Sequence, residues 1–167
     1  MKTTQARLQQ LLDYNPETGV FTWRLDRGGK ARKGTPAGSL QSSGYVRITI
    51  DDKPYPAHRL AWLYMTGGLP PALIDHKNRL KADNRWVNLR AATKAQNALN
   101  AKTRRDNQTG CKHVTRNKKK WEVRMQVDGQ LKYLGSFETL ESASEYASKV
   151  RELLHGDFVN HGAENNQ

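Results

Sequence analysis

The chain carries Leu73-Ile74-Asp75-His76, then Ala82-Asp83-Asn84-Arg85, then Asn88-Leu89-Arg90, then Thr93-Lys94-Ala95-Gln96-Asn97. These residue types suit hydrolysis of a phosphodiester. Activating water needs a base with a pKa near neutrality, and His76 meets that need. Asp75 beside it and the amide oxygen of Asn97 are hard donors for Mg2+ or Mn2+. Such an ion keeps open positions for a phosphate oxygen and the leaving 3′ oxygen, where charge builds up. Asn88 lies across the hairpin from His76, where it could accept the imidazole's other N–H and fix its tautomer.

The elements that position these groups are short. Ile74-Asp75-His76 ends an apolar strand, residues 77–85 form a loop, and Trp86 to Ala91 reads as the returning strand. Thr93-x-x-Gln96 is a capping box, so a helix starts at residue 94. Asn97 then falls on its first full turn, able to face the hairpin.

The surroundings fit a polyanionic substrate. The chain has 167 residues, a formal net charge of +12 and a pI near 10.0. That charge suits a polyanion, nucleic acid first and an anionic membrane a poor second. Together with the phosphodiester chemistry above, the expected partner is double-stranded DNA, with no membrane and no small-molecule substrate, and with a monomer or weak dimer as the working unit. No apolar run has the length of a membrane span, and the N-terminus lacks the apolar stretch of a leader. Cys111 is the sole cysteine, which excludes an intrachain disulfide and makes the cytoplasm the expected compartment. The charge is uneven: residues 139–167 hold 2 basic and 5 acidic side chains, so the excess sits in the first 138.

Upstream, Leu8, Leu11 and Leu12 predict a helix over residues 3–13. A turn over Tyr14 to Gly19 leads into a strand, Val20 to Trp23. Residues 26–44 are a Gly-, Lys- and Ser-rich loop able to touch phosphates. Tyr45 to Ile50 is a strand closed by Asp51-Asp52-Lys53, and His58 to Met65 a buried helix stopped by Gly67-Gly68. His58, at its start, reads as a structural residue, and the four tryptophans as core aromatics.

Residues 101–107 form a basic linker with Arg104 and Arg105, mobile until it meets a polyanion. A second unit follows. Trp121, Val123, Met125 and Val127 alternate with polar residues as a half-buried strand, Asp128-Gly129 turns the chain, and Leu131 to Leu134 return. Thr139 caps a helix with Leu140, Ala143, Tyr146, Ala147, Val150 and Leu154 on one face. Arg116, Lys118, Lys119, Lys120, Arg124 and Lys132 are expected on one exposed face or its turn, touching DNA. Arg85 joins them as a DNA-contacting residue.

Asp75-His76, Asp83-Asn84-Arg85, Asn88-Leu89-Arg90 and Asn97 resemble the His-Asn-His (HNH) endonucleases, in the phage and intron-encoded, homing-type subgroup whose last metal ligand is Asn. Tyr14 to Trp23 and His58-Arg59-Leu60-Ala61-Trp62 look like that subgroup's lead-in. Gly110-Cys111-Lys112-His113-Val114, Lys120-Trp121, Leu134-Gly135-Ser136-Phe137 and His155-Gly156-Asp157-Phe158 are similar to the AP2 DNA-binding domain. The resemblance implies an α+β chain. A ββα-metal nuclease unit with a β-rich N-terminal extension spans 1–100, and a three-stranded sheet with one helix spans 108–158, before a disordered tail at 159–167. It implies His76 as general base, Asn88 orienting it, Asp75 and Asn97 as ligands of Mg2+ or Mn2+, and products with 5′-phosphate and 3′-hydroxyl ends. Here Asn78 is followed by Arg79 where the family usually reads Asn-Gly. Two other readings stand beside this one: a non-catalytic DNA-binding regulator, and an RNA-binding or RNA-processing protein.

Overall fold

In the computed structural model, residues 3–29, 31–94, 96–97, 103, 107–127 and 129–156 are described. The linker arginines Arg104 and Arg105, turn residue Asp128 and the tail at 159–167 lie outside them. The chain divides into two compact units, Met1–Asn97 and Ala98–Gln167. Both mix helix and strand.

The first unit opens with α1 (Gln5–Leu11), capped by Thr4, whose hydroxyl accepts the Arg7 N–H at 3.2 Å. The predicted helix over 3–13 is shorter than expected, because Leu12–Tyr14 turns into β1 and pairs antiparallel with β2 (Phe21–Trp23). Ser39–Leu40 (β3), Val46–Ile50 (β4) and Lys53–Pro56 (β5) form an antiparallel sheet. Its β4–β5 turn uses Asp51 and Asp52, both at positive φ, where a short polar side chain tolerates the left-handed region. Arg7 holds that turn to α1 through Asp51, at 2.8 and 3.0 Å. Helix α2 (Ala57–Thr66) ends at Gly67, φ +69. Leu8, Leu11, Leu12, Phe21, Ile48, Ile50, Leu60 and Leu63 are buried together, so both helices and two sheets share one core.

β6 (Leu73–His76) pairs antiparallel with β7 (Leu89–Ala92), setting Asp75 opposite Arg90 and His76 opposite Leu89. The returning strand is later than expected, since Trp86–Asn88 is a turn of 3-10 helix. Tertiary bonds override the strand preference of Trp86 and Val87 there. The Trp86 N–H donates to the Pro16 carbonyl at 2.9 Å, and the Asn88 N–H to the Arg85 carbonyl at 3.0 Å. The capping box is present: the Thr93 N–H donates to Gln96 Oε1 at 2.8 Å, and the Gln96 N–H to Thr93 Oγ1 at 3.2 Å. Residues 94, 96 and 97 are helical.

The second unit is a sheet of β8 (Val114–Asn117), β9 (Lys120–Val127) and β10 (Gln130–Phe137), with β9 central, followed by α3 (Leu140–His155). Thr139 caps α3, accepting the Ser142 N–H at 3.2 Å. Val114, Val123, Ala143 and Ala147 form its core with Cys111, Trp121, Leu134, Phe137 and Leu140 packed against them. The apolar helix face predicted from sequence is interrupted by Arg151, only 3% exposed. Its guanidinium donates to the Lys112 carbonyl at 3.2 Å and to Ser148 Oγ at 2.8 Å, which supplies the partners a buried cation requires.

Candidate active site

β6 delivers His76 to the end of a strand, 5% exposed. Two segments distant in sequence and the loop that follows β6 surround its imidazole. His58, from the first turn of α2, meets it at a ring-centroid distance of 5.1 Å with planes at 77°. Tyr45, just before β4, lies 5.2 Å from His58 and 6.0 Å from His76. The carboxamide of Asn84, itself 3% exposed, is the third wall.

The electrostatics follow from that box. Burial pushes the His76 pKa below its ordinary value, and Lys81 adds to the fall. The Asn84 side chain, Asp75 and Asp83 oppose it. Burial likewise pushes His58 down to about 4, helped by His76 and Arg59. Both imidazoles are therefore neutral near pH 7, the form a general base requires.

Asp75 is 6% exposed, and its Oδ2 accepts from Arg90 Nε at 2.8 Å and Nη2 at 2.6 Å. This cross-strand pair orients the carboxylate. Asn97 is exposed on the helical residues after β7, with no side-chain hydrogen bond to another described residue. A carboxylate and an amide oxygen are each hard donors of the kind Mg2+ or Mn2+ takes. Among the described residues, no three His, Cys, Asp or Glu side chains gather as a metal cluster.

Asn88 is bonded to the loop that follows β6. Its Oδ1 accepts the Asn78 N–H at 2.9 Å, and its Nδ2 donates to the Asp83 carbonyl at 2.8 Å. It therefore braces the 77–85 loop, and Asn84 is the amide that works against the fall of the imidazole pKa. Arg85 is spent on Asp83, with Nη2 at 2.6 Å from Oδ2. Arg85, followed by Asn78, pulls the Asp83 carboxyl down to about 2.

The N-terminal turn supports this loop. Tyr14 donates its hydroxyl to the Asn84 carbonyl at 2.6 Å, and Gly19, at φ +73, packs on the backbone of Asn84 and Arg85 so closely that a Cβ would collide with it. His58, Tyr45, Asn84 and Arg90 were not predicted for the site. In the sequence, Asn84 and Arg90 stand inside the motif segments with no role assigned to them, and His58 is marked only as the histidine opening an otherwise apolar helix.

In the second unit, register divides the cations expected on a single face. Arg116 pairs with Trp121 and Lys132 with Met125, which puts both in line with side chains on the helix side of the sheet. The Arg116 guanidinium lies 5.5 Å from the Trp121 ring centroid. The open side carries Thr115, Lys120, Glu122, Arg124, Leu131 and Tyr133. Arg124 pairs with Glu122 and Lys120 with Glu138, each at 2.9 Å. Lys118 and Lys119 are exposed at the β8–β9 turn.

Compared with known protein families, residues 55–99 match the HNH endonuclease family model. That segment contains His58, Asp75, His76, Asn88 and Asn97. The curated proteins and the solved structures give no match to the chain. No helix among the described residues is long and apolar enough to cross a membrane.

Proposed function

We propose that the chain is a metal-dependent DNA endonuclease of the HNH type, encoded by a phage or mobile element, with His76 as its general base. The observation that carries this reading is the walled, neutral imidazole of His76 ending β6 beside Asp75, inside the segment similar to HNH endonucleases. His76 takes a proton from water as its oxygen attacks phosphorus. The P–O3′ bond breaks, the leaving 3′ oxygen takes a proton from solvent to end as a hydroxyl, and the other product carries the 5′-phosphate. Asp75 and Asn97 would hold Mg2+ or Mn2+. When bound, the ion supplies positive charge to offset that building on the phosphate and the leaving oxygen. Arg90 orients Asp75, while Asn84, Tyr45 and His58 fix the imidazole plane.

The second unit acts as an AP2-like module that positions the nuclease on duplex DNA, with the basic linker touching phosphates. The protein works in the host cytoplasm as a monomer or weak dimer.

The test is incubation of the full chain with supercoiled plasmid and, separately, with a structured RNA, in Mg2+ or Mn2+ and in excess chelator. Plasmid nicking that needs the ion and is lost in His76→Ala supports the proposal. DNA binding without cleavage supports the regulator, and preferential RNA cleavage the processing enzyme.

A further inference from the structure

The cations around His76 are not equivalent. Arg90 is tied to the Asp75 carboxylate and Arg85 to that of Asp83, each at 2.6 Å. Arg59 donates to the Pro71 and Pro70 carbonyls at 2.9 and 3.5 Å, fixing the approach to β6. These three charges are committed to the fold.

Lys81 is held differently. It lies on the 77–85 loop, and its stem packs on Gly44, where an added Cβ would meet Lys81 Cδ at 3.5 Å and Cβ at 3.8 Å. Its ammonium donates to the Ser43 carbonyl at 3.1 Å and sits 4.9 Å from the Tyr45 ring centroid. Both partners are neutral, and among the described residues no carboxylate pairs with Lys81. An ammonium has three N–H donors, and the carbonyl takes one. The same Tyr45 ring lies 6.0 Å from His76, and the charge of Lys81 reaches that imidazole. An exposed cation, tethered by one carbonyl and one ring face and without a carboxylate partner among the described residues, thus stands beside the ring that borders the base.

We propose that Lys81 is a catalytic residue that binds the scissile phosphate, donating to a non-bridging oxygen and stabilising the charge that gathers there as water attacks. The inference rests on the nuclease reading above and adds a group to it. The Ser43 carbonyl and the Tyr45 face hold the ammonium near the base, and its two remaining N–H groups can turn to a phosphate oxygen. A lysine acts here as a point charge, without the two-pronged geometry of arginine.

The alternative is a structural tie between the 77–85 loop and the turn at Ser43-Gly44. Lys81→Gln keeps an amide donor and removes the charge, whereas Lys81→Arg keeps the charge. With the full chain and Mg2+, single-turnover cleavage by Lys81→Gln should fall about 10- to 100-fold, somewhat less than loss of an oxyanion donor typically costs. DNA affinity should stay within about twofold, since one of 28 cations is lost, and the thermal midpoint should not move. Lys81→Arg should recover most of the rate. Wild-type cleavage rates in Lys81→Gln alongside an inactive His76→Ala would overturn the role of Lys81 and leave the nuclease reading intact. A rate loss that follows a lowered thermal midpoint and is not rescued by arginine would reduce Lys81 to a tie. Absence of metal-dependent cleavage in the wild-type chain would overturn both.

Discussion

His58 and His76 meet edge to face, 5.1 Å between ring centroids, one from the start of a helix and one from the end of a strand. Burial keeps both pKa values low. Protonating either ring would put a cation in a poorly solvated box beside the other.

That relationship predicts a pH-dependent stability. The folded pKa of His58, about 4, lies below the unfolded value of ~6.5, so the unfolded chain binds more protons between those limits. Stability is full above about pH 6.5 and falls as the pH drops toward 4, by on the order of 3 kcal/mol from this group alone. His76 contributes with the same sign. Urea unfolding near pH 7 and near pH 5 should show the fall, and His58→Phe should flatten it. An unchanged slope in that variant would assign the effect to other groups.

For His76 the expected readout is catalytic. His76→Ala should lower cleavage by about two to four orders of magnitude, the usual worth of a positioned base, with DNA affinity nearly unchanged. Because burial lowers its pKa, the acid limb of the single-turnover rate should lie below the ordinary histidine range of about 6.5. Full activity in the alanine variant would remove His76 from the reaction.

The N-terminal turn should matter to a site it does not enter. Tyr14→Phe leaves the buried Asn84 carbonyl without its 2.6 Å donor, at a cost of about 1–3 kcal/mol. Gly19→Ala adds both a collision with the 84–85 backbone and strain at φ +73. Each should lower the thermal midpoint and the cleavage rate together, since Asn84 is a wall of the imidazole box. A thermal loss with no change in rate would mean that the loop and the base are not coupled.

Much of this arrangement was legible where local chemistry decides the outcome. Thr93 and Gln96 cap each other across one turn, and Asp51-Asp52 makes the hairpin turn expected between β4 and β5. The box around His76 was hidden, because Tyr45 and His58 reach it only when separate segments pack. The strand expected from Trp86 to Ala91 starts only at Leu89, because the Asn88 amide spends its bonds on Asn78 and Asp83, and Pro16 takes the Trp86 N–H. Alternation revealed which residues share a face within a strand, but not which face the helix would cover in β8 and β10. That depends on pairing, and on the irregularity between Tyr133 and Gly135.

Arg90 offers a test of the metal assignment that does not depend on turnover. Removing one member of a buried pair typically costs about 3–5 kcal/mol, because the remaining charge stays buried. Arg90→Met should therefore be strongly destabilised through Asp75. If Asp75 takes a divalent cation, Mg2+ should raise the thermal midpoint of this variant by more than that of the wild type. Equal shifts in both would argue against Asp75 as a ligand.

The register of the second sheet makes a directional prediction about DNA contact. Lys120 and Arg124 lie on the open side, where Tyr133 and Leu131 are 57% and 70% exposed. Lys132 is in register with Met125 on the helix side. A sheet that reads DNA must present its open side, because α3 covers the other. Glu122 and Glu138 hold the two open-side cations in place, and a phosphate would compete with those carboxylates for them. Arg124→Ala and Lys120→Ala should each weaken duplex binding and lower the salt slope of the binding constant by about one, the signature of one lost phosphate contact. Tyr133→Ala should weaken binding with little change in that slope, since it removes packing and not charge. Lys132→Ala should leave both nearly unchanged. Fluorescence anisotropy on a labelled duplex over a range of salt concentrations separates these outcomes. A Lys132 variant that loses as much affinity and slope as the Arg124 variant would mean that DNA does not lie on the open side, and that the charge of the second unit acts without orientation.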